Sequence, residues 1–242
     1  MEEDVKNCCA LSAPTGCASF QLRFGASTLH RTFGVPCGYC GPWSKNQRQG
    51  ERFRKTQMRL KQARLLVMDE MSMIGRAMLG KVEFKIRDTL KGTHAESCFD
   101  QYLGGKDVVL AGDPKQIPPI GDEPLFREGE YEGKGQNKPR GSDSTPSGAW
   151  STKTLVVNGM AACKTFQDVV FLRQVHRYVE EKADLPQARK EEYKRDAVRF
   201  LDVMRGMADC TWTLDDYSWL KRRNRTSLQQ TPQGREELRK FD

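Results

Sequence analysis

Three short apolar runs stand out from an otherwise polar chain, at residues 8–12, 65–68 and 108–111. Each is four or five residues long, shows no alternation of apolar and polar positions, and ends in polar, acidic or glycine residues. Unbroken apolar runs of this length predict strands of a parallel sheet covered on both faces. The residues that follow them are Ala13-Pro14-Thr15-Gly16, Asp69-Glu70 and Gly112-Asp113. These fall at the carboxyl ends of the strands, where open α/β sheets place ligands. Between the runs, Leu79, Val82, Ile86 and Leu90 recur at helical spacing and form one apolar stripe to pack on the sheet. The alternation of strand and helix predicts an α/β fold.

The pattern changes further along. Residues 128–148 carry almost no apolar side chains and many Gly, Ser, Pro and charged residues, and read as a flexible insertion. Structure is expected to resume at Ala149-Trp150, with a strand at Val169-Val170-Phe171-Leu172. Beyond residue 180, Tyr193, Ala197, Phe200, Leu201 and Met204 make a helical stripe, expected to break at Arg205-Gly206-Met207. Thr213 with Asp216 three residues on predicts the capped start of a second helix. The expected organisation is a domain over 1–127, the insertion at 128–148, the end of the domain at 149–180, and a charged helical segment over 181–242.

Composition narrows the function. The chain has 242 residues, a net charge of +8 and 30% charged residues, and its mean hydropathy is −0.70. A basic balance of this size favours a polyanionic partner, because Lys and Arg displace counterions from phosphates. The run Lys221-Arg222-Arg223-Asn224-Arg225 could touch phosphates, but such a run also serves as a solvated helix end. No stretch of apolar residues is long enough to span a membrane, and the acidic N-terminus does not read as a signal peptide. An intracellular chain is expected, with its eight cysteines as reduced thiols. Cys37 and Cys40 form a lone C-x-x-C; a structural zinc needs four ligands, so these read as loop thiols.

Asp69 and Glu70 carry the sharpest chemistry. In nucleotide hydrolases a carboxylate at such a strand end holds Mg²⁺, and its neighbour orients or deprotonates the attacking water. Acids at a helix N-terminus would look the same. In the segment 110–120, LAGDPKQIPPI, Gly112 permits a tight turn before Asp113, and two prolines fix the exit from Gln116. A Gln held there could bond to a γ-phosphate; an ordinary Pro-rich turn is the alternative. Thr15-Gly16 caps a helix, and Gly25, Ser27, Thr28 and His30 form a polar loop whose amides and hydroxyls suit phosphodiesters, or bind nothing.

Taken in order, APTGCAS, GASTLHRTFG, LLVMDEMSM, LAGDPKQIPPIGD and FQDVVFLRQVHR resemble the motifs of the Pif-one-type DNA helicases, RecD-related members of superfamily one. The helicase part of Helitron transposons is similar. The resemblance runs from about Ala10 to Leu220 and rests on the joint order of the five motifs. It implies a RecA-like P-loop NTPase domain with a parallel sheet, incomplete here, followed by a helical segment. It further implies ATP and Mg²⁺ as cofactors and 5′-to-3′ unwinding of DNA driven by ATP hydrolysis. The partners implied are single-stranded or forked DNA, with a monomeric full-length protein. The setting implied is genome maintenance, including repair, recombination and telomeres, in nucleus or mitochondrion.

Carried over by motif, Asp69 is the Mg²⁺ ligand and Glu70 the catalytic base. Gly112, Asp113 and Gln116 lie against the nucleotide, with Gln116 on the γ-phosphate. Arg177 matches the arginine that neutralises transition-state charge. Pro14, Thr15, Gly16, Thr28 and His30 fall in the DNA-contacting motifs, and Pro118 and Pro119 match structural prolines.

One part of the family pattern has no match. The phosphate-binding loop, G-x-x-x-x-G-K-S/T, supplies amides, a lysine and an Mg²⁺ hydroxyl. The near match at 75–81, GRAMLGK, is followed by Val82, so the hydroxyl is lacking, and it falls where a helix is expected. Gly104-Gly105-Lys106 has Asp100 where the first Gly belongs. The expectation is a chain that starts downstream of the loop and is by itself inactive as an ATPase. The alternative is a remnant that binds single-stranded DNA or a protein partner.

Overall fold

The structure, a computed structural model, describes residues 8–93, 101–127, 148–172, 187–232 and 234–235. The chain divides into two compact units, residues 1–169 and 170–242.

The first unit is built on a four-stranded sheet of order β2-β1-β3-β4. The strands are β1 (Cys9–Ala13), β2 (Ser27–Thr28), β3 (Leu65–Met68) and β4 (Asp107–Leu110). All three pairings are parallel, with Ser12 opposite Met68 and Met68 opposite Leu110. Every connection therefore crosses over through helical segments, as parallel strands require. The helices of this unit are α1 (Gly16–Leu22), α2 (Leu29–Thr32), α3 (Lys45–Gln49), α4 (Glu51–Gln62), α5 (Arg76–Leu90) and α6 (Thr152–Cys163). The α/β class read from the sequence holds.

The core joins Leu66 and Met68 of β3 and Ala10 of β1 to Leu79, Val82, Ile86 and Leu90, the stripe of α5. Leu60 of α4 and Leu29, Phe33 and Val35 complete it. Full burial of each large side chain contributes about 1.5–3 kcal/mol. Helix α6 crosses α5 where Gly80 meets Gly159: a Cβ at Gly80 would overlap the Leu155 carbonyl, and one at Gly159 the Arg76 carbonyl. Beside the crossing, Phe84 stacks on Trp150 with centroids 4.6 Å apart.

Several expectations are corrected. Among the described residues β4 ends the sheet, and exposed positions alternate along it with half-buried ones, Val109 being 46% exposed. The segment 169–172 is no strand; all four side chains are exposed, and no neighbouring strand among the described residues supplies the ladder that a β-prone run needs. Ser27 and Thr28, read as loop, form a two-residue strand, and His30 sits on helix α2.

In the second unit α7 (Gln187–Ala208), α8 (Leu214–Lys221) and α9 (Arg225–Gln229) are helical. Helix α7 runs through Gly206 and ends at Ala208, because the backbone of Gly206 keeps helical geometry and accepts from Thr211 N–H at 2.8 Å. Among its described side chains Val203 is buried and Met204 is exposed. Arg199 on α7 pairs with Asp215 at 2.9 Å and Asp216 at 2.7 Å, and Arg223 with Asp196 at 2.6 Å. Among the described residues no helix is long and apolar enough to cross a membrane.

Candidate functional site

The parallel register brings Thr15, Thr28, Asp69, Glu70 and Gly112 to one edge. Thr28 lies opposite Ala13, so the end of β2 sits beside Pro14-Thr15-Gly16. Past the end of β3, Asp69 N–H donates to the Ser12 carbonyl at 2.9 Å, which ties the acidic pair to β1. On the other side Ala111 N–H donates to the Met68 carbonyl, and Met71 N–H to the Ala111 carbonyl, both at 2.9 Å. With neighbouring strands about 4.8 Å apart, the row from Thr28 through Thr15 and Asp69 to Gly112 spans roughly 14 Å.

Two backbone features hold the acidic pair. Glu70 has φ 54° and ψ 48°, a left-handed conformation that costs an L-residue about 1–2 kcal/mol. Gly112 has φ +149°, and a Cβ there would lie 2.6 Å from the Met71 amide nitrogen. Asp69 and Glu70 are half-buried, so both carboxylates keep access to solvent. Mg²⁺ is commonly held by one or two carboxylates with the remaining positions filled by water and phosphate oxygens. Asp69 and Glu70 fit that ion. For the nucleotide phosphates the described residues offer no matching cradle. Residues 75–81 are the start of helix α5, with Gly75 packed on the Asp122 side chain, Gly80 at the helix crossing, and Lys81 Nζ donating to the Gly38 carbonyl at 3.1 Å. Gly104 and Gly105 form a turn with positive φ. The residues present thus fit the metal-and-water half of a hydrolysis site and not its phosphate loop.

The expected DNA-facing residues sit at capped helix starts. Thr15 is the N-cap of α1, its Oγ1 accepting from Ala18 N–H at 3.2 Å. Thr28 is the N-cap of α2, accepting from Arg31 N–H at 3.4 Å. Gly16 is exposed with open space where a Cβ would stand, so packing does not require a glycine there. His30 is half-buried, and burial, then Lys81 and Arg52, push its pKa below the ordinary histidine value.

The segment after β4 is pinned by contacts the sequence does not announce. Asp113 Oδ1 accepts from Lys115 N–H and its carbonyl from Gln116 N–H, both at 2.9 Å, which turns the backbone at Gln116. The Gln116 side chain is exposed. Asp122 then caps α5, Oδ1 accepting from Ala77 N–H at 3.1 Å and Oδ2 from Met78 N–H at 2.9 Å. The buried Arg76 guanidinium donates to Glu123 Oε2 at 3.0 Å and to the Pro124 carbonyl at 3.2 Å. Asp122 and Arg76 are the positioning residues that pattern reading passed over; the acid standing two residues after Ile120 in the fourth motif was the available signal. Arg177 and nearly all of 128–148 lie outside the described residues.

Comparison with known proteins places the chain in a family. The family model described as PIF1-like helicase matches residues 3–128, just over half of the chain. The ATP-dependent DNA helicase PIF1 of Saccharomyces cerevisiae (strain YJM789) is 31% identical over 115 residues, covering 48% of this chain and 12% of that protein. Among solved structures, Pif1 helicase from Bacteroides in complex with ADP-AlF3 and single-stranded DNA is 32% identical, with a TM-score of 0.35, over 47% of this chain and 24% of that one. Pif1 helicase from Candida albicans is 25% identical, with a TM-score of 0.36, over 49% and 25%. The chain thus spans about an eighth of the curated relative and a quarter of these solved chains. With its motifs in family order and the family model covering most of the first unit, this chain belongs to the PIF1-like helicases.

Proposed function

We propose that these residues form the metal-binding and DNA-facing part of an ATP-dependent, 5′-to-3′ DNA helicase that serves genome maintenance in nucleus or mitochondrion. The observation that carries the reading is the edge itself: an acidic pair locked between two strand ends, in line with two helix-capping threonines. In this reading Asp69 holds Mg²⁺ and Glu70 positions the water that attacks the γ-phosphate. Gly112 and Asp113 shape the turn that presents Gln116 to the nucleotide, and Arg177 answers the charge that develops in the transition state. Mg²⁺, when bound, neutralises phosphate charge. Pro14, Thr15, Gly16, Thr28 and His30 meet the DNA backbone, for which hydroxyls and amides at helix starts are suited. The Bacteroides relative bound to single-stranded DNA supports the choice of partner.

Because these 242 residues hold no G-x-x-x-x-G-K-S/T loop, the polypeptide alone is expected to bind DNA without hydrolysing ATP. The test is hydrolysis by the longest natural product that carries these residues. Glu70→Gln is expected to keep ATP binding and to lose DNA-stimulated turnover by at least a hundredfold, the scale of general-base catalysis. Near-normal turnover in that variant would remove Glu70 from the chemistry. A DNA-binding remnant without any ATPase is the second reading, favoured by the absent loop.

A further inference from the structure

A cavity of about 590 Å³ opens between the Thr28 turn and helix α4. Its wall carries Arg31, Arg52, Lys55 and Arg59, and the one carboxylate among its lining residues, Glu51, pairs with Lys55 at 2.7 Å. Residues 52, 55 and 59 follow the spacing that puts side chains on one helix face. Arg52 is fixed at the rim, donating to the carbonyls of Val35 at 3.2 Å and His30 at 3.5 Å. Arg59 is half-buried, and after burial itself the neighbouring Arg31 is what disfavours its charge. Cations gathered around a concavity with so little opposing charge repel one another until an anion enters. Guanidinium forks match phosphate oxygens two at a time.

We propose that this cavity, which Thr28 and His30 also line, binds one phosphodiester group of the DNA strand, with α4 adding basic side chains to the contact of the Thr28 and His30 motif. The proposal rests on the DNA reading of the sheet edge, and it adds Arg31, which stands inside the second motif without an assigned role, and Lys55 and Arg59, which lie in no motif. Lys55 is a surface side chain whose removal cannot disturb the core. Arg59 and Arg31 supply the fork donors, and Arg52 shapes the rim.

The experiment measures binding of the 242-residue chain to a fluorescent oligothymidylate by anisotropy across a salt series. Wild type is compared with Lys55→Gln, Arg31→Gln/Arg59→Gln, and Thr28→Glu at the sheet edge. Binding is expected to be about tenfold weaker in the double Arg variant, with a smaller loss in Lys55→Gln. The slope of log K against log salt should shrink by about 0.7 for the phosphate lost. Wild-type affinity and slope in both cavity variants, with binding lost in Thr28→Glu, would overturn the cavity proposal and leave the edge reading intact. No binding by wild type would overturn both. A thermal shift with inorganic phosphate that the double variant abolishes, without any change in DNA affinity, would assign the cavity to a free anion and overturn the proposal as well.

Discussion

Gly112 and Glu70 hold each other in place: the backbone of Gly112, at φ +149°, lies so close to the Glu70–Met71 peptide that a Cβ would sit 3.3 Å from the Glu70 carbonyl carbon. The left-handed turn at Glu70 and the bare glycine on the next strand end are two halves of one arrangement, which sets where the second carboxylate stands. Gly112→Ala is therefore expected to destabilise the first unit by about 2 kcal/mol, as strain and overlap of this kind cost 1–3 kcal/mol. Urea unfolding reads it; a loss below about 0.5 kcal/mol, the scatter of neutral surface changes, would show that the close approach is not tight.

Glu70 is kept in a conformation that suits glycine better. Glu70→Gly should leave stability unchanged or raise it by about 0.5 kcal/mol, relief of left-handed strain offsetting glycine's entropy cost. The same change removes the proposed base. A loss of more than about 1 kcal/mol in the same unfolding assay would mean that the Glu70 side chain stabilises the fold, contrary to the reading of stored strain at a functional site.

Gly16 presents the opposite case. It begins α1 with open space at its Cβ position. Gly16→Ala should stabilise the chain by about 0.5–1 kcal/mol through helix propensity, while weakening DNA binding if backbone atoms there face a phosphate. Thermal denaturation and anisotropy separate the two effects; unchanged DNA affinity would take Gly16 out of the contact.

The second unit carries a pH-dependent cap. Hydrogen bonds from Thr213, first from its backbone and then its side chain, hold the Asp216 carboxyl below its ordinary 3.8, with Arg199 adding to the effect. A depressed carboxyl contributes stability that is fully present above the unfolded pKa and is lost as pH falls through the folded value. Helicity of α8 should therefore be constant above about pH 5 and decline below pH 4, and Asp216→Asn should flatten the decline. Circular dichroism over that range tests it; an identical acid transition in the variant would assign the loss to other groups.

What the sequence shows of this fold is what local pattern can carry. The apolar runs and the 79–90 stripe were legible because burial has a period, and the caps at Thr15 and Thr213 because capping is written within four residues. Asp122 was not, since it caps a helix that begins 46 residues earlier in the chain. The strand expected at 169–172 shows the converse: β-branched and aromatic residues favour a strand only where a neighbouring strand pairs with them. At the edge, the position of Asp69 and Glu70 after a strand was legible. Their geometry depends on Gly112 and on the bonds to Ser12 and Ala111, which only the assembled sheet creates. The basic cavity was hidden because its cations come from two separate segments.

The most direct test of the account is the affinity of this chain for single-stranded DNA as salt is raised. An edge that meets the DNA backbone predicts tight binding at low salt, weakening linearly in log–log form with a slope of about −0.7 per phosphate engaged, and further weakening in Thr28→Glu. No detectable binding at low salt, or binding indifferent to both salt and Thr28→Glu, would contradict it.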